Sequence, residues 1–274
     1  MIRLAPLAQW VPKRWEVSVR FHYHRWRGVQ EPEIDLLPEL VAKGRRAIDV
    51  GANFGEYTYA LARLVPRVEA FEPLAGCAAA IEAARLPGAR VHRVALSDRD
   101  GERTLHLPVR DGRADTPSAS FVDPGGTRER TSVPVRTLDS YGFTDVGLIK
   151  IDVEGHESAV LAGATDTLRT CRPVLIVEIE QRHRSDCRID QVFAGILALG
   201  YAGSFLHAGR RHPLEAFSFE CHQAPFLDAL VASERGGADH RSGPFSSKSV
   251  SARAMLAGRR QDRYVNNFIF VPQA

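Results

Sequence analysis

Two glycines four positions apart interrupt Asp49-Val-Gly-Ala-Asn-Phe-Gly-Glu-Tyr-Thr58. Gly51 and Gly55 let the backbone turn tightly and approach a ligand closely, and a helix beginning there offers unpaired amides. The pattern is not the dinucleotide fingerprint G-x-G-x-x-G, because positions 53 and 56 are Asn53 and Glu56; nor is it the phosphate loop G-x-x-x-x-G-K-[ST]. An acid before the turn and few glycines to cradle phosphate suit a cationic, phosphate-free nucleoside. S-adenosylmethionine is such a ligand. Its ribose diol needs an acceptor, and Glu72 lies 21 positions after Gly51, close to the offset of about 20 seen for ribose-binding acids.

A second group, Ile151-Asp-Val-Glu-Gly-His-Glu157, follows an apolar run. Ligands of doubly wound sheets bind beyond the carboxyl ends of the strands, which places Asp152, Glu154 and His156 where an acceptor would approach. Methyl transfer to a hydroxyl needs a base, typically a factor of about 100 to 10,000 in rate. His156 is the favoured base because imidazole titrates near neutrality, although it also reads as the polar start of the next helix. Asp152 alternates with Ile151 and Val153 and points either into the cleft or toward the helix as a cap. Glu154 is placed to orient acceptor hydroxyls or the cofactor ammonium. Lys150, inside an apolar strand, calls for a carboxylate partner such as Asp139 or Glu178. Asp139, Asp152, Glu154 and Glu178 offer an alternative, a divalent cation held by oxygen ligands; the metal-free site is preferred. Arg113, Ser118 and Ser120 are candidates for acceptor contact.

These residues need a framework, and the hydrophobic pattern supplies one. Short apolar runs at 46–50, 68–71, 89–96, 147–153 and 173–179 alternate with helical stretches at 56–64, 74–84, 156–168 and 189–199. Such alternation predicts right-handed crossovers in a parallel sheet, apolar on both faces and covered by helices on each. Residues 205–207 and 267–271 read as the last strands. Between 104 and 134 seven prolines and glycines break the rhythm, predicting a loop or irregular hairpin with strands at 103–107 and 131–136. Residues 1–44 form a basic, Trp-rich, helical extension to a domain at 45–274, in which 232–263, rich in Ser, Gly and Arg, reads as a mobile insertion.

The 274 residues are 44% hydrophobic and 25% charged, which argues against collagen-like, disordered and disulfide-scaffold classes. A net charge of +3 conceals a split: residues 1–30 carry +5, residues 230–274 carry +4, and the stretch between them carries −6. Cys77, Cys171, Cys187 and Cys221 show no zinc spacing and read as reduced thiols of a cytoplasmic protein. No stretch approaches the roughly 18 apolar residues of a membrane span.

Ile48-Asp-Val-Gly-Ala-Asn-Phe-Gly55, Phe71-Glu-Pro73, Val94-Ala-Leu-Ser-Asp98, Val135-Arg-Thr-Leu-Asp139 and Leu148-Ile-Lys-Ile-Asp-Val-Glu-Gly-His-Glu157 occur in that order. Together with Asn266-Asn-Phe-Ile-Phe270, this set resembles the FkbM family of S-adenosylmethionine-dependent methyltransferases over about half of the chain. The resemblance implies a Rossmann-like class I α/β fold with a seven-stranded, mostly parallel sheet whose last strand is reversed, and acceptors that are hydroxyls of natural products or polysaccharide sugars. It implies that Asp49, Gly51, Asn53, Gly55 and Thr58 line the methionine end, Glu72 the ribose, and Ser97 with Asp98 the adenine. The expected activity is O-methylation of a small hydroxylated acceptor, with nitrogen or peptide side-chain methylation as the alternative. A nucleic-acid or membrane-surface module ranks behind both, because an acidic centre repels phosphate. No nucleic-acid partner is expected. The Trp-rich segment is a candidate to cap the acceptor site or to mediate a homodimer.

Overall fold

The computed structural model describes residues 11–110, 113–114, 119–121, 128–184, 188–227 and 264–273. The insertion expected at 232–263, Ser118, Cys187 and the Arg113 side chain lie outside these. In chain order the elements are α1 (Lys13–Arg27), α2 (Leu37–Leu40), β1 (Arg46–Val50), α3 (Glu56–Leu61), β2 (Val68–Phe71), α4 (Ala75–Ala84), β3 (Ala89–His92), β4 (Ala95–Leu96), β5 (Gly101–Arg110), β6 (Arg113–Ala114) and β7 (Arg128–Arg136). There follow β8 (Val146–Ile151), α5 (Glu157–Ala162), α6 (Thr165–Cys171), β9 (Val174–Glu178), α7 (Ile189–Leu197), β10 (Tyr201–His207), β11 (Arg210–Pro213), α8 (Phe219–His222) and β12 (Asn267–Pro272).

The main sheet has the order β11-β10-β12-β9-β8-β1-β2-β3. Strands β3, β2, β1, β8 and β9 are mutually parallel. The last strand, β12, is reversed between β9 and β10, and it sets Asn267 beside Glu178 and Phe268 beside Val177. Seven strands were expected and eight are present. The eighth, β11, closes a hairpin on β10 from His207–Arg210 to Ser204–Pro213, a turn carried by Ala208 and Gly209 at positive φ.

Alternate side chains of the central strands enter two cores. Ile48, Ile149, Leu175 and Phe268 pack beneath Val160, Leu168, Phe193 and Ile196 of the helices on one face. Ala47, Leu148, Ile176 and Ile269 face Tyr57 and Leu61, together with Phe21, Ile34, Leu37 and Leu40 from the N-terminal segment. Helix α1 thus buries its inner face on the domain, and it ends at Gly28 in the left-handed conformation, a common helix stop.

Two expected elements are divided. The strand read at 89–96 breaks after His92, and its second half pairs with β7 in a separate sheet of order β4-β7-β5-β6. The helix read at 156–168 breaks at Gly163, where an added Cβ would lie 1.9 Å from the Ser97 carbonyl oxygen. Such close approach of helix to strand leaves no room for a side chain. Cys77 and Cys171 are buried free thiols and Cys221 is an exposed one. Among the described residues no helix is long and apolar enough to cross a membrane.

Candidate active site

The turn between β1 and α3 is built by backbone conformation. Gly51, Asn53 and Gly55 all hold φ between +49 and +83°, a region that glycine occupies freely and asparagine tolerates. At Gly51 a Cβ would lie 1.9 Å from the Asp152 carbonyl oxygen, so β1 and β8 converge here too closely for any side chain. Behind the turn, buried Asp49 accepts the Thr58 hydroxyl at 2.5 Å. Burial pushes the Asp49 carboxyl up to about 6 against the opposing pull of Thr58 and Lys150.

A cleft opens over this turn. Gly51, Asn53, Glu72, Asp152 and Glu154 line it, with apolar walls that include Leu74, Leu96, Leu105 and Phe121. Glu72 accepts the amides of Asn53 and Leu74, each at 2.8 Å. Its carboxyl is pushed up to about 7 by burial, which outweighs those two hydrogen bonds. The turn's cradle and Glu72's placement against apolar walls fit a nucleoside carrying a ribose diol. Three of the eight residues expected to hold the cofactor, Gly51, Asn53 and Glu72, line the cleft. Asp49, Thr58 and Gly55 shape the turn from behind, and Gly55 packs on Ile81. Ser97 and Asp98 are not among the lining residues: buried Ser97 donates to Asp98 at 2.9 Å and meets His156 Nε2 at 3.0 Å.

The residues expected at the acceptor end fall just past the tip of β8. Asp152 and Glu154 line the cleft. His156, expected as the base, does not: it is 8% exposed, held between Ser97 and the ring of Phe121. Glu154, at φ 48°, forms an ion pair with His183 at 2.8 Å. Burial works to raise the Glu154 carboxyl, but His183 and Arg182 outweigh it and hold it below its ordinary value. Lys150 is 1% exposed and donates to Asn267 at 2.7 Å, with Glu31 at 3.7 Å. Burial favours its neutral form, yet Glu31, Asp152 and Glu178 prevail and raise it. Asp139 is therefore not the partner of Lys150. It accepts two amides and a hydroxyl from Asp166 and Thr167 at the start of α6, so it also falls outside the alternative metal set. Glu31 stands in its place: one carboxylate oxygen each from Glu31, Asp152 and Glu178 lie within 4.8 Å of one another.

Residues 49–202 match the methyltransferase FkbM domain. The chain belongs to the FkbM methyltransferase family. The matched domain is a methyltransferase domain by its description. This FkbM protein is 30% identical over 144 residues to the 2-O-methyltransferase NoeI of Sinorhizobium fredii (strain NBRC 101917 / NGR234), a match covering 46% of this chain and 59% of that relative. It thus spans less than two thirds of the relative's length. Among solved structures it is similar to the FkbM methyltransferase of Methylobacillus flagellatus KT, with TM-score 0.46, 18% identity and coverage of 70% of this chain and 48% of that one. The S-adenosylmethionine-dependent methyltransferase of Geobacter sulfurreducens, solved with S-adenosyl-L-homocysteine, gives TM-score 0.39 and 12% identity over 96% and 99% of the two chains.

Several residues of this FkbM site escape a sequence reading. Glu31 sits outside the motif core, yet it accepts from Tyr57 at 2.9 Å and Asn267 at 3.1 Å; its one signal was the need of Lys150 for an acid. Leu105 and Phe121 wall the cleft from the 101–136 hairpin, whose strands were expected but not the side chains they turn toward the cleft. Ser120, a candidate acceptor contact, donates to the Glu154 carbonyl at 2.7 Å and secures that wall.

Proposed function

We propose that this methyltransferase acts on a hydroxyl of a small, polyhydroxylated acceptor such as a sugar or a glycosylated metabolite. The observation that carries the reading is the cleft itself, with Glu72 at one end and the carboxylates of Asp152 and Glu154 at the other. Ionised carboxylates only accept hydrogen bonds, so Asp152 and Glu154 suit an acceptor that presents several hydroxyl donors. The name of the S. fredii relative, a 2-O-methyltransferase, points the same way.

Bound S-adenosylmethionine supplies an electrophilic methyl group on a sulfonium. Glu72 accepts the ribose hydroxyls, and the Gly51 turn holds the amino-acid end with its amides. Asp152 would take the proton of the acceptor hydroxyl, the one proton transfer that methylation of that oxygen asks of the protein. His156, behind Phe121, positions the wall of the cleft and does not act as the base. Holding acceptor and donor in line is worth up to roughly 7 to 11 kcal/mol, and the apolar walls exclude competing water. No metal is required in this reading, in which the Lys150 ammonium offsets part of the charge of Glu31, Asp152 and Glu178; a chelator is expected to leave turnover unchanged.

Calorimetry with S-adenosylmethionine and its demethylated product tests the cofactor half; absence of binding at high micromolar concentration would refute it. Transfer of radiolabelled methyl to a panel of sugars and glycosides, followed by mapping of the modified atom, tests the acceptor half. Label found on nitrogen would move the reading to the alternative.

A further inference from the structure

Large apolar side chains are exposed at four places on the described surface, and three of them, Trp15, Val19 and Trp26, belong to α1. Trp26 is 75% exposed and Trp15 52%. With 3.6 residues per turn the three project within about 40° of one another. The buried Val17, Arg20, Phe21 and His24 project from the opposite side, so packing on the domain gives no account of the tryptophans. Exposed Arg14 and Arg25 on one side and Arg27 on the other flank the ridge, and exposed Lys13 stands at the start of the helix. Helix α1 holds five Lys/Arg and one acid, Glu16. Arg14 lies over the Trp15 ring at 5.5 Å, and Arg25 also pairs with Asp35 at 2.9 Å.

We propose that α1 is a docking helix for a membrane surface, laying Trp15, Val19 and Trp26 into the headgroup layer of a bilayer rich in anionic lipid. Indole rings favour that layer because one edge is apolar and the other donates a hydrogen bond. Basic side chains on either flank reach the lipid phosphates while their stems cover apolar surface. A helix with one aromatic ridge, basic flanks and low overall hydrophobicity lies in the interface and does not cross it. The charge complementarity selects lipid over a second copy of this chain, whose identical basic flanks would face each other. It selects lipid over RNA as well, since a phosphate backbone calls for cations along the middle of the face, where the tryptophans stand. The inner side of the helix touches the cofactor turn: Arg20 stacks over Phe54 at 3.9 Å and His24 meets Glu56 at 2.5 Å. Docking thus brings the cofactor turn within one helix diameter of the lipid.

Flotation of the full chain with vesicles of phosphatidylcholine alone, or with one third phosphatidylglycerol, tests the proposal at an ionic strength of about 0.15 M, where the Debye length is about 8 Å. The expected result is flotation with the anionic vesicles only, with a blue shift of tryptophan emission. W15A/W26A should lower the bound fraction at least about tenfold, with the circular dichroism spectrum and melting temperature kept. K13E/R14E, whose side chains are exposed, should remove the preference for anionic lipid, and it decides the matter if the tryptophan variant misfolds. Absence of flotation, equal flotation with both vesicle types, or binding indifferent to both variants would overturn the proposal. So would a tryptophan-dependent dimer in sedimentation velocity, or retention on an RNA duplex, without vesicle binding.

Discussion

Glu72 stands under two opposed demands. A diol acceptor must be ionised, while burial pushes its carboxyl up to about 7 from the 4.5 of a free side chain. Between those values the folded chain holds a proton that the unfolded chain has lost. The unoccupied protein is accordingly predicted to lose stability as pH rises from about 5 to about 8, with Asp49, near 6, adding in the same direction. Cofactor binding should reverse the trend, since diol hydrogens favour the charged form. Affinity measured by calorimetry should fall as pH drops below 7, approaching tenfold per unit, and Glu72→Gln should bind weakly with that pH dependence gone. The base assignment yields a second contrast. Asp152→Asn is expected to reduce turnover by about 100-fold or more with the cofactor still bound, whereas His156→Ala should cost less than Asp152→Asn. Single-turnover rates on saturated enzyme measure both, and the reverse order would return the base role to His156.

The elements differ in how openly the sequence declares them. Strands β1, β2, β8 and β9 were legible because both of their faces are buried, so they read as continuous apolar runs. The glycine turn and Glu72 were legible because position along such strands converts directly into position in space. The 101–136 hairpin was legible as strands at 103–107 and 131–136, shorter than β5 and β7; the Leu105–Phe121 wall was not, because no motif marks which of its side chains face the cleft. Asp139 illustrates the opposite error. An acid in a recognisable motif was read as a partner of Lys150, yet sequence carries no signal of which acid lies across the fold. Its three hydrogen bonds start α6 where Gly163 breaks the preceding helix. Asp139→Ala should therefore cost about 0.5 to 2 kcal/mol, as for other helix caps, lowering the melting temperature by a few degrees and leaving cofactor affinity intact.

Across the molecule, the negative middle of the chain finds its place at the carboxyl ends of the strands, where Glu72, Asp152, Glu154 and Glu178 gather. Lys150 is the buried cation among them. It ties together the segment after α1 through Glu31, β8 through its own backbone, and β12 through Asn267. Lys150→Met would leave Glu31, Asp152 and Glu178 without that cation, and removing one partner of a buried charge pair costs about 3 to 5 kcal/mol. Thermal melting should show that loss to be larger at pH 8 than at pH 5, because protonation of the acids relieves it.

The reversed strand has a consequence of timing. Both neighbours of β12 precede it by more than fifty residues, and it lies between them. The β9 edge and the β10–β11 hairpin must wait on either side of an open slot until residues 267–272 arrive. A chain still being synthesised exposes two unsatisfied strand edges lined by Leu175, Val177 and Phe205, a template for pairing with other chains. Completion of the sheet is thereby coupled to the arrival of residues 267–272, and the same event delivers Asn267 to Lys150. Until then Lys150 lacks the Asn267 side chain that accepts its hydrogen bond.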